Sequence, residues 1–475
     1  MLEWFDYVKR RKDLLKNLIG DRAFYKQIVV LMLPIMVQNG ITNFVNMLDN
    51  IMIGAVGTAD MTGVAITNQL FFVFNLCIFG AVSGAGIFGA QFFGSGDHEG
   101  VRHTFRFKLI FSLILSAIGI AVFYFLGGDL LDLYMQGEEG ITDMAATLSY
   151  AKSYMMIMLV GIIPYALVQC YASTLREGAH PTLPMIAGVV AVCVNLVLNY
   201  LLIFGRLGLP RMGVAGAAAA TVISRFAELA VVVIASHAGK AKYPFMQGVY
   251  KSLYIPLDLV GKLFIRGLPL MLNETLWATG MAVVNQCYSL RGLDGVAACN
   301  ISQTFWNVFS IAYMAVGAAI GIIIGQMLGA SRLDQARKAS YKMIAFSFAL
   351  ALSVAVVYFI VARYIPYVYN TEPEIRELAT RIMRVTAIVM PFEAVTHSTY
   401  FTLRSGGKML VTFIFDCGFM WGISVILAYA LATFTTLSFF TVFTVVQLTS
   451  ALKSVIGVLL VKNGFWVKNI ISSQP

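Results

Sequence analysis

Twelve stretches of this chain are apolar over a length that crosses a bilayer, which removes most architectures at once. They run near 25–54, 62–92, 104–127, 148–176, 183–205 and 213–237, then near 259–290, 297–329, 340–363, 382–405, 408–432 and 437–462. A hydrocarbon core about 30 Å thick takes roughly 20 residues of helix. Backbone polar groups in lipid must be satisfied internally, so spans are helices or closed barrels. Segments this long are helices. Composition agrees: 59% of residues are hydrophobic and only 12% charged, against about 25% charged in soluble domains. The predicted fold class is all-α integral membrane.

Charge sets the topology. A net charge of +10 would suggest nucleic acid in a soluble chain, but no groove-reading or stacking motif accompanies it. Lys and Arg collect instead in the N-terminal tail and alternate loops, as at Lys9, Arg10, Arg11, Lys12, Lys240, Lys242, Arg332 and Arg337. Acids such as Asp129, Asp132, Glu138, Glu139, Glu372 and Glu374 fall on the opposite side. The positive-inside rule then places both termini in the cytoplasm of a multi-pass protein of the cell (inner) membrane. A charged tail precedes a first segment too long for a signal peptide. All six cysteines lie in apolar runs without a CxxC pair, so they read as packing.

An internal repeat divides the chain. Leu33 and Pro34 recur 235 residues on as Leu268 and Pro269; Gly86, Gln91, Gly94 and Arg102 recur as Gly321, Gln326, Gly329 and Arg337. Further on, IPYALVQCYASTLREG (163–178) matches MPFEAVTHSTYFTLRSGG (390–407) at a nearly equal offset. Six helices repeating in one orientation make two pseudo-symmetric lobes related by an axis along the membrane normal. The expected domains are a basic tail (1–24), an N-lobe (25–237), a cytoplasmic linker (238–257), a C-lobe (258–462) and a C-terminal tail (463–475). Gly317, Gly321, Gly325 and Gly329, at four-residue spacing, read as a structural stripe for close helix approach.

The candidate chemistry is polar residues placed where lipid forbids them. In the first segment Gln38, Asn39, Asn43, Asn46 and Asp49 recur at helical spacing and share one face. Pro34 should kink that helix. Five acids fall within spans: Asp49, Glu228, Glu274, Glu393 and Asp416. Arg225, three residues before Glu228, makes a local structural ion pair the expectation there. Counting about 1.5 Å per residue puts Glu274 roughly 18 Å and Glu393 roughly 14 Å from opposite surfaces. The two glutamates are therefore expected to meet near the midplane, sharing a proton or a Na⁺. Asn273, His397 and Tyr400 would accompany them, and Asp416 could join. Asp49, Asn195, Asn199 and Thr221 fall in the outer half, where carboxylate, amide and hydroxyl oxygens suit a proton or small cation.

The chain resembles the multidrug and toxic compound extrusion (MATE) family along nearly its whole length. The resemblance rests on Pro34 with MLDNIMIG (47–54), GAQFFGSGD (89–97), TLREG (174–178), NLVLNYLLIFG (195–205), GVAGAAAATVISRFAE (213–228), LPLMLNE (268–274), GQMLGASRLDQAR (325–337) and TLRSGG (402–407). It implies twelve helices in two lobes around a central cavity, exporting organic cations in exchange for Na⁺ or H⁺. It further implies that Asp49, Asn195, Asn199 and Thr221 form a cation site in the N-lobe. Glu274 and Glu393 match acids that form one in the C-lobe. Some branches carry a second aspartate where this chain has Asn199, so its N-lobe site has one formal charge.

The expected mechanism is alternating access by a monomer, with organic cations or amphipathic compounds and the lipid bilayer as partners, no nucleic acid, and no cofactor beyond the coupling Na⁺ or H⁺. One alternative is a flippase for a lipid-linked or amphipathic metabolite. A remote one is an intramembrane enzyme, which the five histidines disfavour, since they form no HExxH or HxxxD pattern. Single rather than ringed midplane carboxylates disfavour a channel.

Overall fold

The computed structural model describes residues 18–135, 143–239, 241–369 and 371–472, without the side chains of Asn46, Met47, Asn50, Ile51, Thr58 and Leu293. Most of the N-terminal tail, the acidic pair Glu138 and Glu139, Lys240 and the Asn46 side chain thus lie outside the described residues.

All twelve expected spans are helical. They comprise α1 (Arg22–Gly54), α2 (Thr58–Ser95), α3 (His98–Met135), α4 (Met144–Val160), α5 (Ile162–Glu177), α6 (Thr182–Phe204) and α7 (Gly213–Ala238). Then come α8 (Leu257–Ser289), α9 (Leu293–Phe309), α10 (Ile311–Gly329), α11 (Leu333–Val361), α12 (Pro373–Ser405), α13 (Met409–Phe413), α14 (Ile426–Phe434) and α15 (Phe439–Lys462). No strand occurs among the described residues. Two expected single helices are broken. The fourth bends by 49° between α4 and α5 at Gly161, and the eighth is interrupted at Ser310 between α9 and α10. Between α13 and α14 the eleventh widens into π-helical turns at Ile414–Gly418 and Met420–Val425. Nine helical stretches among the described residues are long and apolar enough to span, or ten with the bent α4–α5 pair. The remaining two spans are α8 and α12, of 33 residues each, whose polar content includes Glu274 and Glu393.

Local chemistry explains the helix ends. Asp143 accepts from the amide of Ala146 (3.0 Å) to start α4, and Asp97 accepts from that of Gly100 (2.9 Å) to start α3; each satisfies an otherwise orphaned donor. α6 ends on Gly205 with φ +66°, a conformation glycine adopts without a Cβ clash. Pro34, Pro269 and Pro391 all sit inside helices.

The chain forms two compact units: one of Val37–Gly89 and Asp97–Leu272, the other of Met1–Met36, Ala90–Gly96 and Asn273–Pro475. Helices α1, α2 and α8 each run from one unit into the other. In the first unit Phe71, Phe123, Leu131, Tyr154 and Met155 are buried together, and α6 and α7 cross closely at Gly216, where a Cβ would stand 2.8 Å from the Leu202 carbonyl carbon. In the second, Tyr288, Tyr358, Met383, Met390 and Phe443 form the core around α12, which packs on α9, α10, α11 and α15. The glycine stripe of α10 serves two neighbours: Gly317 makes room for His397 and Phe401 and Gly321 for Phe401, whereas Gly325 meets Ala90. Only Gly329 lies directly against another backbone, that of Gln91, and Gly94 answers it against Gln326.

Candidate functional site

In the first unit three helices bring the predicted polar residues into one chain of hydrogen bonds. Asn199 of α6 donates through Nδ2 to Asp49 Oδ1 of α1 (2.5 Å) and to Asn195 Oδ1 (3.0 Å). Asn195 donates to Thr221 Oγ1 of α7 (3.4 Å), which donates to the Ala217 carbonyl (3.0 Å). The one-turn spacing of Asn195 and Asn199 lets both reach this line. Both asparagines are buried, and Asn199 Oδ1 has no donor among the described residues. Gln38 is engaged separately, accepting from Arg176 Nη2 (2.9 Å); Asn39 and Asn43 are half-buried further along α1.

In the second unit the acids divide into two groups, and the expected Glu274–Glu393 pair does not form. Glu274 Oε1 accepts from the Tyr400 hydroxyl (3.0 Å). Buried Asn273 donates to that same hydroxyl (3.3 Å) and to Asp416 Oδ2 (2.9 Å). Asp416 Oδ1 receives Lys453 Nζ of α15 at 2.6 Å, so Asp416 joins Glu274. Glu393 instead accepts from Trp306 Nε1 (3.1 Å) and the Tyr313 hydroxyl (3.2 Å). The reason is register. Glu393 and Tyr400 are seven residues apart on α12, about 10 Å along its axis, so Tyr400 reaches Glu274 while Glu393 stays two turns away. Depth estimated from the surfaces gave similar heights but said nothing of which face each acid occupies. His397 packs edge-on to Tyr313, with ring centroids 6.1 Å apart.

The expected Arg225–Glu228 pair does not close to contact distance, although Arg176 and Arg225 both act on Glu228 electrostatically. Arg225 donates instead to the Gly161 carbonyl (3.1 Å) at the α4–α5 break and lies over the Tyr165 ring at 5.1 Å. That carbonyl also accepts from the Tyr165 amide (3.2 Å), so Arg225 shares an acceptor at the start of α5.

The MatE family model matches residues 34–201 and 269–430, taking in both halves of the repeat. The chain belongs to this family of multidrug efflux transporters. Relatives of the MATE chain include the probable multidrug resistance protein NorM of Thermotoga maritima, 23% identical over 85% of this chain and 86% of the relative. NorM of Bacillus cereus is 26% identical over 86% and 89%, and multidrug resistance protein MdtK of Pectobacterium atrosepticum 25% over 78% and 79%. Among solved structures, an outward-facing multidrug resistance MATE transporter of the MOP superfamily matches with TM-score 0.80 at 20% identity, covering 94% of this chain and 98% of that one. A MATE transporter in a bent conformation matches with TM-score 0.83 at 20% identity, covering 94% and 96%. The solved structures show the MATE fold, and membership of the family makes the chain a transporter rather than an enzyme.

Two charged features of this MATE chain went unread in the sequence. Lys453 lies inside the last span, and a lone lysine in an apolar run already signals a buried partner. Lys108 on α3, fully buried, is bound by both oxygens of Glu177 (2.6 and 2.7 Å) and by Ser173 and Thr174. Glu177 stands in the TLREG motif, and Gly86 and Gly89 of α2 make room for its carboxylate. Its pairing lysine, 69 residues away in sequence, has no local signal.

Proposed function

We propose that this chain is a secondary active antiporter that exports organic cations or amphipathic compounds, with Asp49 as the carboxylate that takes up the coupling Na⁺ or H⁺. The observation that carries this reading is the setting of Asp49. Its bond comes from a neutral amide, and no ion pair among the described residues includes it. A carboxylate within a span needs a counter-charge or a proton, and here one arrives from outside. Asn195, Asn199 and Thr221 order the carboxylate and offer oxygens beside it.

In the second unit Asp416 carries Lys453 as an internal partner and Arg404 is close enough to Glu274 to interact electrostatically, while Glu393 is held by the neutral Trp306 and Tyr313. In this reading both termini are cytoplasmic, and cation uptake at Asp49 drives release of the cargo outward. One charge moved through about 100 mV supplies about 2.3 kcal/mol, roughly a 50-fold gradient.

The test is transport of a cationic fluorescent dye by inside-out vesicles under an imposed Na⁺ or pH gradient. Movement under either gradient that disappears in Asp49→Asn supports the reading and names the ion. Full export by Asp49→Asn would remove Asp49 from the mechanism, and no dye movement under either gradient would favour a flippase.

A further inference from the structure

Asp416 is neutralised from within its own chain, by a group that resembles the proposed cargo. Lys453 Nζ lies 2.6 Å from Asp416 Oδ1 and 5.5 and 5.6 Å from the ring centroids of Phe415 and Phe419. Its side chain is 11% exposed. The other carboxylate oxygen is held by Asn273 Nδ2 at 2.9 Å, while Asn273 Oδ1 is buried without a donor among the described residues. A carboxylate flanked by aromatic faces is a setting that recognises ammonium groups.

We propose that Asp416, Phe415 and Phe419 form an ammonium subsite that Lys453 fills in cis, and that an alkylammonium group of the cargo enters this unit by displacing it. The proposal deepens the antiport reading above and rests on its assignment of organic cations as cargo. It gives Lys453 a definite task. The tethered ammonium holds the carboxylate when no cargo is present and returns when cargo leaves, so the subsite cycles between two cations without standing empty. The unpaired Asn273 Oδ1, on the amide that already holds Asp416, offers an acceptor to an incoming N–H.

The experiment is equilibrium binding of radiolabelled methylammonium to the full-length protein in lipid nanodiscs, with no gradient imposed. A tethered competitor acts at an effective concentration of about millimolar or more, so wild type should bind weakly. Lys453→Met should bind at least about tenfold more tightly, since removing a competing state raises apparent affinity by the fraction it occupied. Lys453→Met/Asp416→Asn should lose the gain. Lys453→Gln, which keeps a donor for Asp416 and so guards against misfolding, should show a smaller gain in the same direction. Absence of a gain in both single variants, a gain that survives Asp416→Asn, or displacement by sodium as effective as by unlabelled methylammonium would each overturn the proposal. Gradient-driven dye export by wild type is scored separately, so loss of the antiport reading and loss of this subsite are distinguishable.

Discussion

The two repeats carry the same skeleton of positions with different chemistry. Arg176 and Arg404 stand 228 residues apart, as do Arg225 and Lys453, Glu177 and Ser405, and Gly188 and Asp416. In the first unit Arg176 donates to Gln38 and Gly188 packs against that same glutamine. In the second, the counterpart of Gln38 is Asn273, which turns to Asp416. The cation at the last shared position follows suit: Arg225 caps a broken helix at Gly161, whereas Lys453 neutralises an acid. The repeat therefore preserved where polar groups sit and changed how charge is balanced. The first unit leaves Asp49 with a neutral partner, whereas the second pairs Asp416 with Lys453 and holds Glu393 through the neutral Trp306 and Tyr313.

That contrast can be broken experimentally. The largest effect is expected from Asp49→Asn set against Asp416→Asn: dye export should fall to background in the first, while the second, which frees Lys453, should retain gradient dependence with altered cargo preference. Equal loss in both would erase the distinction. Next comes Lys108→Met, which gives α3 the residue found at the corresponding Met343 of α11 and strands Glu177; losing one partner of a buried pair costs about 3–5 kcal/mol. The melting temperature should drop steeply and recover in Lys108→Met/Glu177→Ser, the combination present in the other repeat. Failure to recover would mean that Lys108 does more than pair. Gly94→Ala and Gly329→Ala, at the reciprocal crossing of α2 and α10, should destabilise by similar amounts of about 1–3 kcal/mol through overpacking; unequal losses would show that the crossing is not symmetric.

The smallest effect belongs to the linker. Arg106 donates to the Val249 carbonyl (2.9 Å) and to that of Tyr254 (3.2 Å), and Glu99 bonds both Arg102 and Arg106. The Arg102 hydrogen bond holds the Glu99 carboxyl below its usual range. Its contribution is therefore present above the unfolded-state value and fades as the pH falls through the depressed one. Hydrogen exchange at 248–254 should rise slightly over that acid window and be flat in Glu99→Gln.

The number of spans, their order and the N-terminal polar line were legible because hydropathy and helical spacing are local properties. Asp49, Asn195, Asn199 and Thr221 converge as their faces predicted. Partner choice was not legible where competing acceptors come from elsewhere in the fold. The Gly161 carbonyl that accepts from Arg225 sits at the bend between α4 and α5, and the Tyr400 hydroxyl that donates to Glu274 is placed by the rotation of α12. Lys453 was recoverable, since the repeat carries Arg225 onto it.

Asp416 and Cys417 occupy the first of two consecutive π-helical stretches. Such a turn holds surplus chain, and helices keep few of them outside functional places. In a protein that must change shape without unfolding, surplus chain is slack. Drawing one turn tight would rotate the carboxylate relative to the rest of its helix, so the span that bears Asp416 also carries the mechanical play to turn it.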